Sequence, residues 1–388
     1  MIDHEKLLSD TLKDIKPSGI RKFFDLLADM GDVTALTVGQ PDFVTPWHIR
    51  EAAINSLERG QTYYTSNSGL PELRREVCAY MSRRFDLEYK PEEVLVTVGG
   101  SEAIDVAIRT LVNPGDEVII PMPSFVCYEP IVRMAGGTPV IINTKAEHGF
   151  KLTPEELRSA ITERTKLLVL PYPNNPTGAI LEKEELEALA QVLRDTDVAI
   201  LSDEIYAELT YGKRHISIAS IEGMRERTII ASGFSKAYAM TGWRLGYLCA
   251  PAVWLKQMTK LHQYAIMCAP TVSQFAAVEA LREGDSDIAE MRAEYDRRRT
   301  FIYEGLRDIG LPVLMPEGAF YIYPYIGGFG LSSDEFCERL LMEEKCAIVP
   351  GTAFGECGEG YARISYAYSV RHIEEALEKI KRFVDKLK

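Results

Sequence analysis

"EVLVTVGGSEAIDVAIRTLV", residues 93–112, divides at its two glycines into a strand and a helix. Its first six residues are nearly all apolar and rich in valine, which predicts a buried strand over 93–98. From 101 to 112 the apolar positions fall at 103, 104, 107, 108 and 111, the spacing of one face of a helix. Gly99 and Gly100 supply the turn between them. A short apolar strand, a tight turn and an amphipathic helix form the repeating unit of an α/β fold.

The unit recurs down the chain. "DEVIIP", "TPVIIN", "TKLLVLP", "VAILSD" and "RTIIAS" are further short apolar runs. "TPEELRSAI" opens a helix with Thr153 as N-cap, Pro154 at the first helical position and Glu156 closing a capping box. "KEELEALAQVLRD" is another helix, between two of the strands. All-apolar strands alternating with amphipathic helices imply a mostly parallel sheet covered on both faces. Beyond about residue 285 long charged helices (286–309, 333–345, 369–387) alternate with "GAFYIYPYI" and "YARISYAY", the texture of a smaller α+β domain. The first 40 residues, with a helix of their own in "SGIRKFFDLLADM" (18–30), join that domain. The expected division is therefore a large domain over 45–284 and a small one from 1–44 plus 285–388.

The composition sets limits on function. The net charge of −13 over 388 residues leaves no global basic field for nucleic acid or an anionic membrane. The seven cysteines are scattered with no C-x-x-C pair, as in a reducing compartment and without a structural zinc site. The N-terminus mixes both charges and lacks a signal peptide's apolar core, and no apolar run is long enough to span a bilayer. A soluble cytoplasmic protein with no bound metal is expected.

Open α/β sheets bind ligands beyond the carboxyl ends of their strands, so the residues following 98, 170, 202 and 232 carry the chemistry. After 98, the glycines and Ser101 open a helix whose free N–H groups suit a phosphate, although glycines there also serve plain turns. After 170 comes "PYPNNPTGA", a predicted turn in which Asn175 offers an amide. Asp203 follows four apolar residues and points into the crevice, where a carboxylate needs a partner or a ligand cation; capping the next helix is the plainer role. Tyr206 faces the same crevice or packs in the core. Lys236, in "SGFSKAYAMTGWRLG" (232–246), lies among apolar and small residues with Arg244 eight positions on. Such surroundings depress an ammonium's pKa and leave more neutral amine, the nucleophile toward an aldehyde.

Taken together these stretches resemble the class-I aminotransferases, pyridoxal-phosphate (PLP) enzymes of fold type I. "GFSKAYAMTGWRLG" matches that family's lysine signature. "YTSNSGLPELR" (64–74), "PNNPTG" (173–178), "SDEIY" (202–206) and "VPGTAFG…YARISYA" (349–367) follow the family's order and spacing. The resemblance runs from "LTVGQPDF" at 36–43 to the C-terminal helix. It implies a seven-stranded, mostly parallel sheet in the large PLP domain beside the small α+β domain.

The resemblance also implies roles. Lys236 holds PLP covalently and then serves as base and acid. Asp203 faces the pyridinium N–H, while Tyr206 and Asn175 face the ring oxygen. Phe125, in "PSFVCYEP", stacks on the ring. Arg244, the Gly100 and Ser101 amides and the Ser235 hydroxyl hold the phosphate. Many relatives carry serine where this chain has Gly233, so Ser232 is the alternative hydroxyl. Arg363 grips the substrate α-carboxylate, Gly39 closes over the substrate, and Tyr64 reaches the phosphate of a neighbouring subunit in a homodimer. The implied reaction moves the α-amino group of an aromatic, aspartate or broader range of L-amino acids to a 2-oxo acid, 2-oxoglutarate being the expected acceptor, by a ping-pong exchange. A PLP-dependent carbon–sulfur lyase would use the same residues. A PLP-sensing regulator would add a DNA-binding module ahead of this fold, and with Gly39 already inside the family pattern none is expected. A nicotinamide dehydrogenase would need a third glycine that "GGSEAI" lacks.

Overall fold

The computed structural model describes residues 2–13, 15, 17, 19 and 31–388. The helix expected over 18–30 falls, Gly19 apart, outside them. Twelve strands are seen among the described residues: β1 (Thr34–Ala35), β2 (Val94–Thr97), β3 (Glu117–Met122), β4 (Thr138–Asn143), β5 (Thr165–Leu170), β6 (Ala199–Asp203), β7 (Thr228–Gly233), β8 (Gly246–Cys249), β9 (Tyr321–Ile322), β10 (Cys346–Ala347), β11 (Val349–Pro350) and β12 (Ala362–Ser365). Seven form the main sheet in the order β2-β8-β7-β6-β5-β3-β4. All its neighbours run parallel except β8, which is antiparallel to both β2 and β7. The expected mostly parallel α/β sheet is thus present.

Alternation within the strands explains why the sheet is buried twice over. Leu95, Val118, Val169, Leu201 and Leu248 pack on one face with residues of helices Gly99–Leu111, Tyr128–Met134 and Ala252–Ala265. Their neighbours Val94, Val96 and Tyr247 pack on the other with helices Trp47–Glu58, Pro71–Phe85 and Thr271–Glu283. Ile119, Leu168 and Ile200 join helices Pro154–Ala160 and Lys183–Leu193. The cap predicted for Pro154–Ala160 forms as expected: Thr153 Oγ1 accepts from Glu156 N, and Glu156 returns a carboxylate to Thr153 N. Such a cap is worth about 1 kcal/mol.

The C-terminal helices Asp285–Ile309, Ser333–Glu344 and Val370–Leu387 share one apolar cluster with β9, β12 and Leu36. There β9, β11 and β12 form an antiparallel sheet, and β1 pairs in parallel with β10, tying the start of the described chain to its end. Strand β8 was not anticipated. "GYLC" is only four residues long and follows the lysine stretch without a helix, so it lacks the strand–helix rhythm that revealed the others. No helix among the described residues is long and apolar enough to cross a membrane.

Candidate active site

The carboxyl ends of β2, β5, β6 and β7 open onto one cavity of about 380 Å³, closed from the other side by residues 37–40, Tyr321 and Arg363. Eleven of the candidate residues line it: Gly39, Gly100, Ser101, Phe125, Asn175, Asp203, Tyr206, Ser235, Lys236, Arg244 and Arg363. Ser232 and Tyr64 do not.

Strand β7 delivers the lysine. Its last residue, Gly233, lies so close to β8 that an added Cβ would stand 2.9 Å from Gly246 Cα and 3.0 Å from Leu245 O. Beyond it Phe234, Tyr238 and Met240 turn into the apolar core, which leaves Ser235 and Lys236 on the cavity side. The Lys236 ammonium donates to Gly39 O at 2.6 Å. Burial lowers its pKa to about 8, with the Arg363 and Arg244 charges pushing the same way and Asp203 opposing. Arg363 thus outweighs Arg244, the cation that the sequence spacing pointed to. Between the two candidate hydroxyls, Ser235 faces the cavity, whereas Ser232 Oγ donates to the Glu204 carbonyl at 3.2 Å.

Asp203 closes β6. Its Oδ2 accepts from Tyr128 Oη at 2.6 Å and its Oδ1 from Ile205 N at 3.2 Å. Burial raises its pKa, and these two hydrogen bonds counter that only in part. The carboxylate therefore sits at the cavity wall with no adjacent cation other than Lys236, and a cationic ligand atom would complete it. The loop after β5 divides its two asparagines between structure and site. Asn174 Oδ1 accepts from Thr177 N and Oγ1 at 3.1 and 2.8 Å and so braces the turn. Asn175 Oδ1 faces the cavity and accepts from Arg363 Nη1 at 3.0 Å. Gly178 turns the chain back with φ +72°, where a Cβ would meet Pro316 Cβ at 2.4 Å.

Arg363, on β12, is buried. Its Nη2 donates to Thr37 O at 2.6 Å, and its Nε has no partner among the described residues. Tyr321 and Phe354 sandwich the guanidinium at 4.5 and 4.7 Å. A buried guanidinium lining an open cavity is arranged to take an anion. Tyr321 also bonds Tyr206, Oη to Oη, at 2.8 Å. Its hydroxyl occupies the space a side chain at Gly39 would need, the Cβ position lying 2.5 Å away. Glycine at 39 is therefore a packing requirement as well as a place for backbone to approach a ligand. At the far end of the cavity Gly100 and Ser101 begin helix Gly99–Leu111, Gly99 has φ +77°, and Arg244 Nη2 lies 2.8 Å from the Cβ position at Gly99.

Ten lining residues were not among the candidates, and two of these, Tyr128 and Tyr321, bond candidate side chains. Both lie inside stretches singled out above, but nothing local says which tyrosine of "GAFYIYPYI" turns inward. Tyr64 is 80 % exposed, beside exposed Tyr63, whose carbonyl accepts from Thr271 Oγ1 at 2.7 Å.

A buried amine, a buried guanidinium and a carboxylate around one cavity at the carboxyl edge of a parallel sheet define an enzyme site. Comparison with known proteins gives its family. The model for aminotransferases of class I and II matches residues 31–380, and the chain belongs to that family. It is 54% identical over 380 residues to the putative aminotransferase YugH of Bacillus subtilis, covering 98% of each chain. It is 46% identical to an aspartate aminotransferase of Pyrococcus abyssi, covering 97% of each. The crystal structure of an aromatic aminotransferase from Pyrococcus horikoshii superposes with a TM-score of 0.90 at 43% identity, covering 94% of this chain and 100% of that one. The protein is an aminotransferase of fold type I.

Proposed function

We propose that this enzyme transfers the α-amino group of an L-amino acid to a 2-oxo acid using pyridoxal phosphate bound to Lys236. The observation that carries this reading is Lys236 itself, an amine lowered to about 8 that shares one cavity with Asp203 and Arg363. The residues fit the cofactor. Asp203 lacks a full cationic partner, as a carboxylate facing a protonated ring nitrogen would. Phe125 supplies a ring face. The Gly100 and Ser101 amides, Ser235 and Arg244 gather at one end of the cavity as a phosphate cradle. Bound there, the cofactor supplies an electron sink and alternates between aldehyde and amine forms, the basis of a ping-pong exchange.

The chain's own residues do the rest. Arg363, on the cavity wall, takes the substrate α-carboxylate, and Asn175 Oδ1 holds the guanidinium in orientation. Lys236 Nζ, largely neutral above pH 8, accepts the proton from the substrate α-carbon and returns it across the same face. Tyr206 Oη, held by Tyr321, donates toward the cofactor's ring oxygen. Val38, Phe125, Ile205 and Tyr321 offer apolar walls that suit an aromatic donor. Among the described residues the lining cations are Lys236, Arg244 and Arg363, each with a role already. Recognition of a distal carboxylate, as in aspartate or 2-oxoglutarate, would draw on a second copy.

A homodimer with shared sites accounts for Tyr64, whose exposed phenol does not line the cavity. The division into 45–284 and 1–44 plus 285–388 puts the cavity between the two domains. Seven free cysteines suit a cytoplasmic enzyme.

The test is titration of the purified chain, loaded with pyridoxal phosphate, against a panel of L-amino acids. An effective donor should abolish the visible absorption band, and 2-oxoglutarate should restore it. Lys236→Ala should lose borohydride labelling by the cofactor. Labelling at another lysine would overturn the assignment, and release of ammonia and pyruvate without an acceptor would indicate the lyase instead.

A further inference from the structure

The cradle at the start of helix Gly99–Leu111 has an oddity: the residue after Ser101 is Glu102. A carboxylate in a first helical turn is drawn to the same free N–H groups and positive potential that an incoming phosphate needs. Left alone, Glu102 would compete with the anion and repel it. It does not line the cavity, although Gly100, Ser101 and Ile104 around it do. Its carboxylate is turned away and held by two donors. Glu102 Oε2 accepts from Val98 N, the residue capping the helix, and Oε1 lies 2.6 Å from His262 Nδ1. The two side chains are 12% and 0% exposed.

His262 comes from helix Ala252–Ala265, packed on the same face of the main sheet as helix Gly99–Leu111. Among the described residues its Nε2 is buried and without a partner, so the ring's hydrogen bond there is the bond to Glu102. A buried imidazole whose sole polar contact is an acidic residue one position beyond the cradle does more than fill space.

We propose that His262 is a positioning residue for the anion cradle: it holds the Glu102 charge off the Gly100–Ser101 turn and so keeps that turn fit for a phosphate. The inference rests on the phosphate reading of this end of the cavity. It makes a prediction about sign that a merely structural contact does not. Removing the Glu102 charge should strengthen anion binding, whereas removing its restraint should weaken it.

The experiment uses the full chain stripped of cofactor and reads the dissociation constants of inorganic phosphate, by calorimetry, and of pyridoxal phosphate, by absorbance. Glu102→Gln keeps an acceptor for Val98 N and should bind phosphate about two- to five-fold more tightly, the size expected for one charge at a helix N-terminus. His262→Leu frees a charged Glu102 and should weaken phosphate by about five- to ten-fold. The double variant should return toward wild type, because without its charge Glu102 no longer needs restraint. His262→Asn, which keeps a donor near the Nδ1 position, should recover part of the loss. Phosphate binding weakened by Glu102→Gln, or unchanged by His262→Leu, overturns the proposal. Should His262→Leu lose cooperative unfolding, the sign of the Glu102→Gln effect and the rescue by asparagine decide the matter. Wild-type chain that binds no phosphate, or an Arg244→Gln variant that binds it as well as wild type, overturns the phosphate reading itself.

Discussion

At the scale of single residues the chemistry turns on how a buried amine is made reactive. Three cations share a small cavity, and burial is the largest reason that Lys236 loses its proton near pH 8. Trapping of pyridoxal on Lys236 of the cofactor-free chain should therefore rise through about pH 8, read by borohydride reduction and peptide mapping. Arg363→Met removes a like charge, so the midpoint should move upward; a midpoint unmoved by that change would discount the coupling. Much of this site was legible in the sequence, because Lys236, Asp203, Asn175 and Ser101 all stand at or soon after strand ends. Tyr128 and Tyr321 were not. Their partners Asp203 and Tyr206 lie 75 and 115 positions away, and no local pattern encodes such a bond.

Among the elements, the contact between β7 and β8 restricts residue 233. A serine there would put a Cβ at 2.9 Å from Gly246 Cα, against closely packed backbone. Gly233→Ser should destabilise the chain by about 1–3 kcal/mol in denaturant unfolding, and it should add nothing to cofactor affinity, since Ser235 already faces the cavity. A second joint fastens the C-terminal helices. Glu344, partly buried at the end of Ser333–Glu344, is held by Lys386 Nζ at 2.6 Å and Arg382 Nε at 2.9 Å on Val370–Leu387. These bonds depress its pKa. The stabilisation is then present above the ordinary carboxylate range and is lost as pH falls through the lower folded value. Because both cations are half exposed, Glu344→Gln should cost only about 1 kcal/mol at neutral pH. The melting temperature of the variant should also fall less than that of wild type on acidification; a parallel fall would remove Glu344 from the account. The helices that meet here were evident from their charged texture, while strand β8, four residues long, was hidden by having no helix before it.

For the whole molecule, exposed aromatic side chains are what the proposed homodimer would account for. Tyr63, Tyr64 and Tyr264 are all largely open to water, and a partner subunit would cover large apolar side chains of this kind. The chain should sediment as a dimer. Tyr264→Asp should shift it toward monomer, with loss of activity at dilution. Tyr64→Phe should weaken pyridoxal phosphate several-fold in the dimer while leaving its dissociation constant for the monomer alone unchanged. A monomeric wild-type chain with full activity would refute the shared site.

What the sequence determined by itself was whatever depends on neighbours along the chain. The strand and helix periods, the Thr153 cap and the placing of polar residues at strand ends are all set within a dozen positions, where backbone geometry fixes which side chains share a face. The tertiary structure decided what depends on distant parts meeting. It put Ser235 rather than Ser232 on the cavity, left no room for a side chain at 233, set Tyr128 on Asp203, joined Arg363 to Asn175 across 188 positions and turned Glu102 toward His262. Each of these follows from close packing between elements, whose distances are fixed only once the sheet has closed around its core.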